Sequence, residues 1–153
     1  MDVVWHCRSF HELNTAELYA IVSVRERVFV VEQSCLYLDA DGIDVQCRHL
    51  WGVADTDIAA YCRIVPPGVK YDETSIGRVL VAPEHRGTGL AKQLMQRAIA
   101  ACGPVPIRIG AQAYLEKFYR DQGFAPASAP YTEVGIAHLE MVRHSGWSGD
   151  RRA

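Results

Sequence analysis

The stretch VLVAPEHRGTGLAKQLMQRA, Val79 to Ala98, constrains the fold more than any other part of this 153-residue chain. A run of apolar β-formers ends in a proline, and an arginine, two glycines and a threonine follow. Leu90, Leu94, Met95, Ala98 and Ile99 then recur on one face of a helix that closes near Cys102-Gly103-Pro104. Strand, tight turn, helix is a unit of sheets with helical crossovers, which make the flanking strands parallel neighbours. Glycines accept φ > 0 and let another group approach the backbone closely. The helix after them begins with unpaired N–H donors and a partial positive charge. In RGTGLA, Arg86 to Ala91, these features together describe a site for an anion, phosphate foremost. Arg86 adds a full charge and the Thr88 hydroxyl a further donor. The plainer alternative is a helix entry whose glycines serve only the turn, and the turn alone leaves both open.

The remaining segments fit around this unit. Val3 to Cys7 suits a first strand; Asn14-Thr15 can cap a helix carried by Leu18, Ile21, Val22 and Val24 and continued by Arg25 through Val31. EQSCLYLDADGID has turn residues and no clean period, which predicts an irregular loop. HLWGVAD and IAAYCRIVP flank Asp55-Thr56-Asp57 as an antiparallel hairpin, and TSIGRVLVAP is a third strand. VPIRIGA is the next strand, AYLEKFYRDQGF a helix stopped by Gly123, and IAHLEMVR a last strand. The order β, α, β-β-β, α, β, α, β predicts an α/β (α+β) mixed sheet with helices on both faces. No repeat or linker interrupts residues 1–143, which are expected to form a single domain, with 144–153 a loose tail in which Trp147 could dock on the body or on a partner subunit.

Charge and cysteines narrow the function. Sixteen Lys and Arg against eighteen Asp and Glu give a net charge of −2, so no basic field exists for a nucleic-acid backbone. The five cysteines are odd in number and form no C-x-x-C pair, as in a reducing compartment and not in a disulfide frame or zinc site. The N-terminus lacks a secretory pattern and no apolar run is long enough to span a bilayer, so the cytoplasm is the expected location. LDADGID mimics a calcium loop, but with Asp39 as the third position Tyr37 takes the first and Arg48 the twelfth, so no metal is expected there; the carboxylates of this turn could face a cationic acceptor.

Three phosphate motifs can be separated. The P-loop spacing is absent, because Gly87 and Gly89 are too close and Lys92 follows no glycine. GTGLAK lacks the third glycine of a dinucleotide fingerprint, and the next strand ends in Gln112 with no acid placed for a ribose. The pattern [RQ]-x-x-G-x-[GA] is met by Arg86, Gly89 and Ala91. Together with AQAYLEKFYRDQGF, in the right order and with a strand between, it resembles the GNAT family of N-acetyltransferases. RVFVVEQSCLYLDADGID followed by RHLWG, and YTEVGIAHLEM, resemble its ElaA-like branch, so the likeness runs from about Trp5 to Met141. Gln112 stands where many members have Asn, and Leu115 where many have Ala.

The resemblance implies a GNAT-type acyl-CoA N-acyltransferase fold and acetyl-CoA as co-substrate, without a metal. It implies that the coenzyme's pyrophosphate rests on Arg86, Gly87, Thr88, Gly89, Leu90 and Ala91, and its pantetheine arm along the backbone of Val79, Leu80 and Val81, with Gln112, Phe118 and Tyr119 alongside. Tyr119 matches the tyrosine that serves as acid to the leaving thiolate; taken alone it is a packed aromatic. Glu73 and Glu32 are the candidates for the base, although an exposed or ion-paired carboxylate is the stronger reading of each; His49 and His138 read as buried, hydrogen-bonded histidines that could join an acceptor water network. The expected reaction is direct attack by a primary amine of a small molecule or peptide in a ternary complex, with a homodimer conceivable. The competing class is a non-catalytic acyl-CoA-binding regulatory module on the same fold, for which a retained Tyr119 has no use.

Overall fold

The computed structural model describes residues 2–146, so Trp147 and most of the expected tail lie outside the described residues. Strand β1 (Val3–Ser9) leads to helix α1 (Thr15–Arg25). Asn14 caps it as the sequence predicts: its Oδ1 accepts from the Glu17 amide at 2.7 Å, and Glu17 Oε1 accepts from the Asn14 amide at 3.0 Å. The predicted continuation through Val31 differs in kind, being a π-helical segment, Glu26–Glu32. The wider turn still keeps Val28 and Phe29 buried beside Ile21 and Val24.

Strands β2 (Arg48–Ala54), β3 (Asp57–Val65) and β4 (Ser75–Val81) follow. They pair antiparallel in the order β1-β2-β3-β4. Helix α2 (Leu90–Cys102) crosses to β5 (Ile107–Gln112). The third helix is shorter than the sequence suggests: a 3-10 turn at Ala113–Leu115 and then α3, Glu116–Arg120. Two short strands absent from the sequence-based order, β6 (Ala125–Pro126) and β7 (Tyr131–Glu133), precede β8 (Ile136–Arg143). Their brevity hides them from periodicity; both pair with β8, which also pairs with β5.

The mixed sheet is therefore two antiparallel halves. β4 and β5 meet in one parallel bridge, Thr74 to Ile107, reinforced by the Arg108 amide donating to Thr74 O at 2.9 Å. Beyond it they belong to different sheets. Central β3 is buried from Ile58 to Val65, as befits a strand covered on both faces. On one face Leu50, Cys62 and Ile76 pack with Leu90, Leu94 and Met95 of α2, with Tyr119 and with Leu139 and Met141 of β8. On the other, Trp51, Tyr61 and Leu80 meet Ile21, Val24, Val28 and Phe29.

The irregular loop after the π segment is anchored to this second face by charge. Arg25 (2% exposed) donates to Asp39 Oδ2 and to Asp44 Oδ1, both at 2.7 Å. Arg63 (1% exposed) donates to Asp44 Oδ1 at 2.9 Å and to Asp41 Oδ1 at 2.8 Å, and Arg78 pairs with Asp39 at 2.8 Å. The Asp39 and Asp41 carboxylates thus face the chain's own arginines, a correction to their expected role toward a cationic acceptor. Burial pushes the Asp41 and Asp44 carboxyls up, but hydrogen bonds and charge from Arg63 and Arg25 outweigh it and hold both below the usual carboxylate range. The stability they add is present above the unfolded carboxyl pKa of about 3.9 and is lost as pH falls through the lower folded values. Asp44→Asn leaves two buried guanidiniums short of a partner, and urea denaturation should read a loss of about 3–5 kcal/mol.

Candidate active site

The site begins with a defect in β4. Tyr61 pairs with Leu80 and Arg63 with Gly77, so Arg78 and Val79 together oppose Cys62 in a β-bulge. Arg78 takes φ +50°, a strained conformation for a residue with a Cβ. Its guanidinium is held by Asp39 and Asp41, and Nη2 also donates to Asp39 O at 3.0 Å. A bulge breaks the ladder locally, and this one interrupts the pairing with β3 at residues that line the cavity.

Between the diverging strands lies a cavity of about 890 Å³. Ile76, Gly77, Arg78, Val79, Leu80 and Val81 line it from β4, and Ile109, Gly110 and Gln112 from β5. Leu90, Ala91, Phe118 and Tyr119 contribute from the α2 and α3 side. From the opposite side come Gln33, Cys35, Tyr37, Leu38 and Asp41 of the loop, and Glu133, Val134, Ile136 and His138 of the β7–β8 hairpin. Gly87 and Gly89 hold φ +77° and +81°, and a Cβ at either would meet nothing within 4 Å, so the turn's backbone is open to the cavity. The first hydrogen bond of α2 is Gln93 N to Gly89 O, and the amides before it have no intrahelical acceptor.

Two residues of the turn differ from expectation. Thr88 does not line the cavity; its hydroxyl donates to His85 O at 2.7 Å and closes the turn. Arg86 lines it but directs its guanidinium elsewhere: Nε donates to Val81 O at 3.0 Å and Nη2 to Glu32 Oε1 at 2.8 Å, with Nη1 on the other carboxylate oxygen. Arg27 grips Glu84 in the same two-handed way. The entry to the turn is thereby tied at two points to the π segment.

The carboxylates singled out as bases are in ion pairs. Glu32 lines the cavity, but its hydrogen bond with Arg86 lowers its pKa and makes it a weaker base. Glu73 does not line it; Arg108 donates Nε to one oxygen at 3.0 Å and Nη2 to the other at 3.1 Å, lowering its pKa likewise. Tyr119 is 6% exposed, its ring edge-on to Phe118 and Phe124, and burial pushes its phenol pKa up. His49 is a core residue: Nε2 donates to Asp44 O at 2.9 Å and Nδ1 accepts from Tyr61 Oη at 2.7 Å.

The sequence-based set omits Arg78 and the β7–β8 hairpin. Gly77 within TSIGRVLVAP is the signal for a bulge, since a glycine inside a strand often marks one. The hairpin has a weaker signal, Val134-Gly135 between two short alternating runs.

Comparison with known proteins agrees with this geometry. Residues 46–145 match the family model described as an acetyltransferase (GNAT) domain. The chain belongs to the GNAT family. It is 37% identical over 147 residues to a UPF0039 protein of Synechocystis sp., covering 93% of this chain and 96% of that one. Protein ElaA of Escherichia coli is 37% identical over 147 residues, covering 92% and 96%. The crystal structure of ElaA superposes with a TM-score of 0.88 over 94% of this chain and 100% of that one. An acyl-CoA N-acyltransferase from Pseudomonas aeruginosa, 36% identical, gives 0.89 over 93% and 99%. The fold is thus the acyl-CoA N-acyltransferase fold. Among the described residues no group of His, Cys, Asp and Glu is arranged to hold a metal, and no helix is long and apolar enough to cross a membrane.

The Arg86–Glu32 pair is largely exposed, so its contribution to stability is small. Glu32→Gln should change the unfolding free energy in urea by less than about 1 kcal/mol, the range of exposed ion pairs.

Proposed function

We propose that this GNAT protein transfers an acetyl group from acetyl-CoA to a primary amine of a small molecule or peptide, by direct attack in a ternary complex. The observation that carries the proposal is the convergence of three features on one cavity: the open amides of Gly87 to Ala91, the bulged edge of β4 and the buried Tyr119. The donors present suit a coenzyme A ester. A 13-residue helix whose first amides are unpaired binds a pyrophosphate without side-chain charge. The edge of Val79 to Val81 offers peptide groups to a pantetheine arm, and Ile109, Leu90 and Phe118 supply apolar walls.

The chemistry asks for two proton movements. An alkylammonium with pKa near 10.4 must lose a proton at a cost of about 4.6 kcal/mol at pH 7. The departing thiolate must be stabilised and protonated. Tyr119 suits the second task, because a phenol whose pKa is raised by burial stays protonated throughout the neutral range and donates to a sulfur anion. The bulge at Arg78–Val79 breaks the ladder beside the same space, where a backbone donor would meet the charge that develops on a thioester oxygen. The five free thiols fit a cytoplasmic setting.

Calorimetric titration with acetyl-CoA, coenzyme A and ATP tests the binding step. Wild type should bind both thioester and thiol forms and not ATP, and Arg86→Ala combined with Gly89→Asp should abolish binding, since the new carboxylate stands at the anion site. A folded wild type that binds neither overturns the proposal. Thiol release with ethylamine, lysine, spermidine and a lysine-bearing tripeptide then separates an enzyme from a pure acyl-CoA binder. Tyr119→Phe should lower kcat by about 10²–10⁴-fold, with the Kd for acetyl-CoA within a few-fold of wild type.

A further inference from the structure

With Glu32 and Glu73 both held by arginines that make them poorer bases, another group on the cavity wall is better suited to deprotonate the acceptor. The β7–β8 hairpin offers one. Along β8, Leu139 and Met141 pack into the core beneath α2, so His138 projects to the opposite side of the sheet. It pairs in register with Gln112 of β5 and Tyr131 of β7, and its ring stacks on Tyr131 at 5.8 Å. Its Nδ1 lies 2.8 Å from Ile136 O. A carbonyl only accepts, so Nδ1 carries the proton and the neutral ring keeps its lone pair on Nε2. Glu133 Oε2 stands 3.8 Å from Nε2, too far to bond the neutral ring and near enough to pair with an imidazolium. Both side chains line the cavity.

The turn that brings Glu133 back toward His138 is strained. Val134 and Gly135 close the hairpin with φ +51° and +76°, and a β-branched residue at positive φ is a true outlier. Such strain concentrates where the surrounding structure enforces it for a task. Here the Val134 carbonyl is also approached by Cys35 Sγ at 3.6 Å, which joins the hairpin tip to the loop across the cavity mouth.

From this geometry we infer that His138 is the proton acceptor for the amine substrate, with Glu133 stabilising its imidazolium. The inference rests on the transferase assignment above. The acceptor ammonium gives one proton to His138 Nε2, and its freed lone pair attacks the thioester carbonyl carbon. Collapse of the adduct breaks the C–S bond. The thiolate takes a proton from Tyr119, which regains one from the new amide nitrogen, and His138 releases its proton to water. The products are the amide, the free thiol and one proton. Acid and base approach from opposite sides of the split sheet, Tyr119 from the α3 side and His138 from the loop side.

Two readouts test this. Nitrogen-15 NMR of the full chain without ligand reads the neutral ring of His138; the expected form carries its proton on Nδ1, and a dominant Nε2–H form overturns the inference, because no lone pair then faces the cavity. The second uses acetyl-CoA with the best alkylamine of the panel above and with hydroxylamine, which is already unprotonated at neutral pH. His138→Gln should lower kcat/KM for the alkylamine by about 10²–10⁴-fold. It should leave the hydroxylamine rate and the KM for acetyl-CoA within a few-fold, and Glu133→Gln should act in the same direction by a smaller factor. Equal loss with both nucleophiles makes His138 a packing residue and overturns its role as base while the transferase stands. A wild type that binds acetyl-CoA and acylates neither amine overturns the transferase and the base together.

Discussion

Three arginines and three aspartates on one face of the first sheet are the constraint on which the rest depends. Arg25 comes from the first helix, Arg63 from the central strand and Arg78 from the bulge, and all three partners lie within Asp39–Asp44 of a single loop. Arg25 and Arg63 are buried almost completely and are stable only when paired, so the loop can occupy no other place without leaving a guanidinium in apolar surroundings. The same pairs hold Arg78 at positive φ, and so hold open the break in β4. A loop whose own secondary structure is one 3-10 turn at Asp44–Gln46 thus fixes the shape of the cavity more firmly than its appearance suggests.

The split between β4 and β5 turns a structural element into a binding surface. In an unbroken sheet the edges of both strands would be satisfied by one another. Here, among the described residues, one parallel bridge from Thr74 to Ile107 and the Arg108 amide on Thr74 O join them, and the strands then line the cavity from two sides. Plain valine and leucine suffice at such a place, because their side chains pack in or against the two cores while the strand borders the cavity.

The Arg86–Glu32 and Arg27–Glu84 pairs have a different character. They are solvent-exposed and screened, and their value is geometric. They join the glycine turn to the π segment, whose last residue opens the loop that walls the other side of the cavity. Glu32 is thereby placed as a tie between the two walls, and its carboxylate is the weaker base for it.

Local chemistry alone determined a good deal of this protein. The strand-turn-helix at Val79 to Cys102, the capping box at Asn14 and Glu17, and the hairpin around Asp55-Thr56 each depend on contacts within a few residues, and spacing reports those faithfully. The glycines of the turn were legible in the same way, whereas Gln112, Phe118 and Tyr119 are named as site residues through the family resemblance, and Tyr114 and Leu115, which also line the cavity, are not. Tertiary structure decided what the charged groups do. Arg86 and Glu32 are 54 positions apart, and Arg108 and Glu73 are 35 apart; no periodicity links them, yet each pairing makes the carboxylate a weaker base. The bulge at Arg78 needs an ion pair from a distant loop to hold its conformation, and β7 exists only because β8 is there to pair with it. A sequence specifies which side chains can ionise or donate, but their partners, and hence their chemistry, are set by which distant segments the fold brings together.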